Sequence, residues 1–191
     1  MLGVTHQVLL GGAGRWKDSG HPACTGRRDR LAVNVEAATR DLLELLLAVR
    51  PGVLVSFDAG GCTGHPDHIA CHQMALAAAT LLSRTDGGLQ ALALIVDGRE
   101  EAPRALADAG RLVALDVTRF RRRKVRAVAC HRSQVGAAAD DLAALASLDP
   151  ASAVNRYLPW VAGRTGGPHV ERYRWLPAEQ LAPRRRARAG A

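Results

Sequence analysis

Lysine is almost missing from this 191-residue chain. Lys17 and Lys124 are the only two, and arginine supplies the rest of its 26 basic residues. The formal charge of +8 therefore arrives as arginine, alongside abundant alanine, which reads as a compositional bias of the coding sequence more than as a binding surface. Basic charge gathers at Arg121-Arg122-Arg123-Lys124 and in the tail Arg184-Arg185-Arg186-Ala187-Arg188. No aromatic residues interleave with it and no nucleic-acid-binding module accompanies it, so a solvated face is expected and a nucleic-acid partner is not. Aromatics are scarce, at 4%, which leaves Ala, Leu and Val to fill a core. No apolar run approaches the length of a membrane span. Met1-Leu2-Gly3-Val4-Thr5-His6 lacks the basic start and long apolar stretch of a secretory leader. The four cysteines, Cys24, Cys62, Cys71 and Cys130, form no C-x-x-C pair, and nothing else suggests a small disulfide-stapled secreted chain. Reduced thiols and a cytoplasmic location are expected. No internal repeat is present. With 48% hydrophobic residues the chain is not a disordered one, and its length suits one domain with a real core.

Against these absences stands one dense stretch, Gly64-His65-Pro66-Asp67-His68-Ile69-Ala70-Cys71-His72, which holds three of the seven histidines and a carboxylate. An apolar run, Val53 to Phe57, and the turn Asp58-Ala59-Gly60-Gly61 precede it; a helical run, Met74 to Leu82, follows. Strand, glycine turn, polar cluster and helix is how an open α/β sheet presents a site at the carboxyl end of a strand. Pro66 suits a first helical position, because its missing N–H would have no helical partner there. His68 and His72 are then four apart on one helix face. Neutral imidazoles at that spacing suit Zn²⁺ or Fe²⁺, and an acid beside a histidine commonly orients its ring. A single histidine at a helix start is most often a cap or a surface group, but three with an aspartate point to metal or catalysis. Cys62 and Cys71 flank the cluster as competing donors.

Elsewhere, Val4 to Leu10 reads as a short strand broken by His6 and Gln7. Gly11-Gly12-Ala13-Gly14 turns the chain without the G-x-G-x-x-G spacing of a phosphate loop. A helix is predicted from near Leu31 to Val49, with Val35, Ala38, Leu42, Leu45, Leu46 and Val49 on one face, stopped by Pro51-Gly52. Val53 to Phe57 reads as a strand buried on both faces. Strands follow at Leu89 to Val96, Leu112 to Val117 and His169 to Leu176. A charged loop spans 99–110. A helix capped by Thr118 is predicted from Arg119 to about Gln134. On it Phe120, Lys124, Ala127 and His131 share a face, so His131 is either a buried neutral histidine or a site residue. Short helices are predicted for Asp140 to Leu148 and Ala151 to Trp160, and a solvated tail from about Ala178.

These pieces resemble one family, the LmbE/PIG-L-like N-acetylglucosamine deacetylases. Gly64-His65-Pro66-Asp67-His68, followed by His72, matches the family's second signature. The loop from Gly11 to Gly20 looks like that of the mycothiol-pathway members, which act on glucosaminyl-inositol. Lys124 to Gln134 is similar to a late helix ending in His-x-Ser/Thr-Gln. The resemblance covers residues 2 to about 176. It implies a Rossmann-like α/β fold with a mostly parallel sheet, helices on both faces, and one divalent metal, usually zinc. It makes His68 a metal ligand. His65 stabilises the tetrahedral oxyanion as imidazolium or hydrogen-bond donor, and Asp67 holds the His65 ring. Asp18, and more weakly Arg15, contact a small amino-sugar substrate. His72 and His131 stand behind the ligands.

Two departures qualify it. The family opens on a strand ending in His-Pro-Asp-Asp-Glu, which supplies two metal ligands and the aspartate base, and this sequence contains no such stretch. The expectation is therefore a deacetylase domain over residues 1–177 lacking its first strands, followed by a basic, disordered tail at 178–191. One branch of the family carries a tyrosine before the signature glycine, where this chain has Thr63. The reading is a zinc-dependent N-deacetylase, inactive as it stands without the upstream ligands and base. The alternatives are a non-catalytic remnant binding sugar or metal and, on charge alone, a nucleic-acid binder.

Overall fold

The computed structural model describes residues 3–20, 29–85, 88–96, 110–120, 123–124, 126–127, 130–131 and 170–181. Among them the architecture is α/β, as expected. Helix α1 (Val35–Val49) follows a 3-10 turn at Leu31–Val33; strand β1 (Val53–Phe57) leads through the short helical turn α2 (Gly61–Gly64) into helix α3 (Pro66–Leu82). Strands β2 (Ala91–Ile95), β3 (Arg111–Asp116) and β4 (Val170–Pro177) and the turn α4 (Ala178–Leu181) complete the described elements. The sheet is mixed, in the order β1-β2-β4-β3. β1 and β2 run parallel in the register Val53↔Ala91 to Phe57↔Ile95, with α3 as their crossover. β4 joins β2 antiparallel, Ala91 facing Pro177. The chain divides into two compact units, residues 8–113 with 172–191, and residues 1–7 with 114–171.

The first unit is built on small and aliphatic side chains, as the scarcity of aromatics requires. Helix α3 is packed on both β1 and β2 and against α1. Ala70, Ala75, Ala78 and Ala79 on it are each no more than 2% exposed, and Leu82 closes its end. A helix apolar nearly all round is one meant for burial, and alanine is also the strongest helix former. Leu46 of α1, Leu92 and Leu94 of β2 and Leu176 of β4 complete this core. Truncating Leu92, which is fully buried, to alanine is expected to cost about 2–5 kcal/mol of stability, read as a lower midpoint in urea.

Several expectations change. Residues 4–10 form no strand: Val4, Val8 and Leu9 are exposed, and no strand among the described residues pairs with them. α1 buries Ala38 and Leu46, but Val49 at its end is 62% exposed, because Arg50 turns left-handed (φ 51°) and closes the helix onto Leu46 O. Among the described strands β1 stands at the edge, and Val53 and Val55 are exposed, so it is not covered on both faces. Thr118 opens a short 3-10 turn, Thr118–Phe120, with its N–H donating to Asp116 Oδ1. Phe120 is exposed under the Arg119 guanidinium, and the remainder of the helix to Gln134 is described only in part. The chain does not become tail at Ala178, since α4 follows and Leu181 packs on the core. Cys24, residues 132–169 (with the helices predicted at 140–148 and 151–160), the loop at 97–109 and residues 182–191 lie outside the described residues. No helix among the described residues is long and apolar enough to cross a membrane.

Candidate metal and substrate site

The carboxyl end of β1 organises the histidines. Asp58 accepts the Cys62 N–H at its Oδ1 (3.1 Å), and its carbonyl accepts the Gly61 N–H (3.0 Å), which folds the glycine turn into α2. Cys62 is held at φ 59°, a left-handed conformation costly to a residue with a Cβ. His65 is the N-cap of α3 and Pro66 its first residue. From the helix, His72 sends Nδ1 to the Phe57 carbonyl and His68 sends Nδ1 to the Gly61 carbonyl, each at 3.0 Å. The His68 ring also stacks on Phe57, 4.1 Å between centroids and 6° from parallel.

These bonds assign protons. A carbonyl only accepts, so Nδ1 of His68 and of His72 carries hydrogen, and in the neutral ring the lone pair then sits on Nε2. A ring nitrogen hydrogen-bonded to a backbone carbonyl, with the other nitrogen left as donor to an ion, is the usual arrangement of a metal-ligating histidine. His65 is the reverse: its Nδ1 accepts the Asp67 N–H at 3.2 Å, so the neutral ring carries its hydrogen on Nε2. That nitrogen faces Asp18 Oδ1 at 3.5 Å.

Asp18 is brought there by a well-tied loop. Arg15 gives Nε (2.6 Å) and Nη2 (3.3 Å) to the Asp41 carboxylate on α1, and Trp16 Nε1 donates to the same group (3.2 Å). Lys17 pairs with Asp29, whose carboxyl is held below its ordinary range chiefly by that hydrogen bond. Ser19 Oγ accepts from Ala32 N–H, and Ser19 N–H donates to Asp67 Oδ2, both at 3.0 Å. Asp18 Oδ1 takes the Gly20 N–H at 2.7 Å, while more than half of its side chain stays exposed.

The sequence-predicted residues Asp18, His65, Asp67, His68 and His72 thus converge. Arg15 reaches the same loop, but with its guanidinium committed to Asp41. His131 belongs to the other unit and is exposed there, so it is not the buried histidine one reading foresaw. Sequence reasoning missed Asp41 and the part Ser19 plays. Asp41 left one sign, a carboxylate among the apolar positions of α1.

Among the described residues, Asp18, His65 and Asp67 form the one trio whose donor atoms, within 4.8 Å of one another, could surround a cation. The His65 tautomer argues against it, because Nε2 cannot ligate while it carries the ring's only proton. His68 fits a metal better, with its ring clamped and its lone pair on the outer nitrogen. Cys71 is a poor competitor: burial, helped by the Asp67 charge, pushes its thiol up and keeps it protonated. Gly61 is fixed by this geometry. At φ +64° a Cβ would lie 2.8 Å from His68 Cβ and 2.9 Å from Ile69 N. Gly61→Ala should therefore cost more than the roughly 1 kcal/mol of a left-handed alanine, measured by chemical denaturation.

No family model matches the chain. Its curated relatives are deacetylases. A 1D-myo-inositol 2-acetamido-2-deoxy-alpha-D-glucopyranoside deacetylase of Thermomonospora curvata is 47% identical over 88 residues, covering 42% of this chain and 28% of its own length. Proteins of the same name from Actinosynnema mirum and Saccharomonospora viridis are 34% and 33% identical over 155 and 160 residues. Each of these matches covers 70% of this chain, and 55% and 58% of the relative. The chain is a relative of these deacetylases, as the signature around His65 and the Asp18 loop led us to expect. It spans about half or less of their length.

Proposed function

We propose that the chain is the substrate- and metal-facing part of a hydrolase that removes the N-acetyl group from a GlcNAc-containing substrate of the glucosaminyl-inositol type, in the cytoplasm. The observation that carries this is the division of labour between His65 and His68, one presenting N–H and the other a lone pair, beside an exposed carboxylate on an anchored loop. The names of the relatives supply the substrate class.

In this reading His68 Nε2 contributes to holding Zn²⁺ or Fe²⁺. Bound there, the ion would polarise the amide carbonyl and activate water. His65 Nε2–H lies ready to donate to the carbonyl oxygen as it gains negative charge, and a donor already in place there costs no reorganisation when the charge develops. Asp18 accepts hydrogen bonds from sugar hydroxyls, and Arg15 and Trp16 keep its loop on α1. His72, 6% exposed and satisfied by Phe57, pins α3 to the end of β1. In a chain extended with the upstream segment that the family resemblance implies, Asp18→Ala should lower kcat/KM by roughly tenfold or more, the worth of a hydrogen bond to a charged group, and leave zinc in place. Unchanged kinetics on a glucosaminyl-inositol substrate would remove this loop from the sugar site.

A second reading, a module that binds sugar or metal without turnover, draws on a separate observation. Asp18, Asp58 and Asp67 each already accept a backbone N–H, which suits positioning better than proton transfer.

A further inference from the structure

We propose that Asp67 is a positioning residue for the substrate loop: its carboxylate straps Ser19, and through Ser19 it sets where Asp18 stands against His65. Asp67 is the second residue of α3, with its own N–H spent on His65 Nδ1. It is this backbone group, not the carboxylate, that engages the His65 ring. The carboxylate lies within 4.8 Å of a His65 ring nitrogen and of Asp18, but its hydrogen bond goes to the loop. Its Oδ2 takes the Ser19 N–H at 3.0 Å, across 48 residues of sequence, and its Oδ1 is buried with no hydrogen-bond partner. Ser19 is next in the chain to Asp18, whose Oδ1 lies 3.5 Å from His65 Nε2. The two ends of Asp67 thus grip both halves of the pair, the ring through the amide and the loop through the carboxylate.

Two other ties lie close by, neither of them from α3: Asp18 Oδ1 accepts the Gly20 N–H and Ser19 Oγ accepts the Ala32 N–H. The rest act further back. Arg15 and Trp16 hold it to Asp41, and Lys17 holds it to Asp29. The Ser19 amide is the tie to α3 next to Asp18, so its loss should loosen where Asp18 stands against His65 without detaching the loop.

This distinguishes a strap from a charge that tunes His65. A strap needs an acceptor oxygen, which asparagine keeps; a tuning charge is lost in asparagine and alanine alike. The consequence for turnover rests on reading Asp18 as the sugar acceptor, but the strap itself does not.

The test is amide hydrogen exchange of the 191-residue chain by NMR, comparing Asp67→Ala and Asp67→Asn with the parent, with the amides of Ala78 and Ala79 reporting an intact fold. The Ser19 amide should exchange roughly tenfold to hundredfold faster in Asp67→Ala and within about threefold of the parent in Asp67→Asn. The ring nitrogen shifts of His65 should follow the same order, altered in the alanine variant and kept in the asparagine one. Unchanged Ser19 exchange in a folded Asp67→Ala variant would overturn the proposal. So would equal loss in both variants. Should the alanine variant fail to fold, the asparagine variant decides, since loss of Ser19 protection there is incompatible with a strap. Faster Ser19 exchange in Asp67→Ala with unaltered binding of a glucosaminyl-inositol ligand would support the strap and count only against the sugar reading.

Discussion

His68→Ala should abolish stoichiometric metal binding, whereas His65→Ala should leave it intact. The two rings lie 5.2 Å apart in one turn of sequence, so proximity alone would not separate them. Their hydrogen bonds do. His68 gives its Nδ1 hydrogen to the Gly61 carbonyl and is braced by Phe57, leaving Nε2 with the electron pair a cation needs. His65 has spent its Nδ1 electron pair on the Asp67 amide, so Nε2 carries hydrogen. Weakening a ligand's supporting contact alone typically costs 10- to 100-fold in affinity; removing the ligand should cost on the order of hundredfold or more. The measurement is elemental analysis after dialysis, on the chain joined to the His-Pro-Asp-Asp segment of a relative, with circular dichroism to show folding. Stoichiometric zinc in a folded His68→Ala variant would take His68 out of the ligand set. Zinc lost from His65→Ala but kept by His68→Ala would instead favour the Asp18, His65 and Asp67 trio, at the expense of the helix cap.

The α/β class and the clustering of the histidines at the end of β1 were legible because both rest on local pattern. Val53 to Phe57, the glycine turn and Pro66 announce strand, turn and helix in order, and four-residue spacing is enough to align His68 with His72. The ends of elements were legible where a backbone device sits in the sequence, as with Pro51-Gly52 after α1. What local pattern does not carry is who the neighbours are. The run from Val4 to Leu10 looks like a strand but has none beside it among the described residues, and β1 looks doubly covered because its residues are apolar, although it stands at the edge of the described sheet. The tautomers were out of reach for the same reason. They depend on the carbonyls of Phe57 and Gly61, and every residue has a carbonyl. The carboxylate of Asp67 was assigned to the neighbouring ring; its hydrogen-bond partner is an amide 48 residues away.

The largest effect expected in solution is on turnover: the 191-residue chain, loaded with zinc, should release no acetate from an N-acetylglucosaminyl-inositol substrate, and adding the His-Pro-Asp-Asp strand of a relative should restore release. The argument concerns the base. Water becomes a competent nucleophile for an amide near neutral pH only when a positioned group takes its proton. Around this turn the described carboxylates are already bound to backbone N–H groups: Asp58 to Cys62, Asp67 to Ser19, Asp18 to Gly20. Asp58 cannot leave without unfolding the turn that carries the Gly61 carbonyl, and with it the His68 tautomer. His72 has the right tautomer to accept a proton but is buried at the end of β1, away from solvent. His65 presents hydrogen, the wrong polarity for a base. A single histidine ligand also falls short of the three protein ligands that normally hold a catalytic zinc. The resemblance puts the missing base and ligands in a segment this sequence does not contain, which is why the complementing strand is the variable. Acetate release would be followed by a coupled assay for both proteins, with His65→Ala in the extended one as the inactive control. Turnover by the 191-residue chain comparable to the extended protein would defeat this argument and would require Asp58 or His72 to do the proton transfer denied them here.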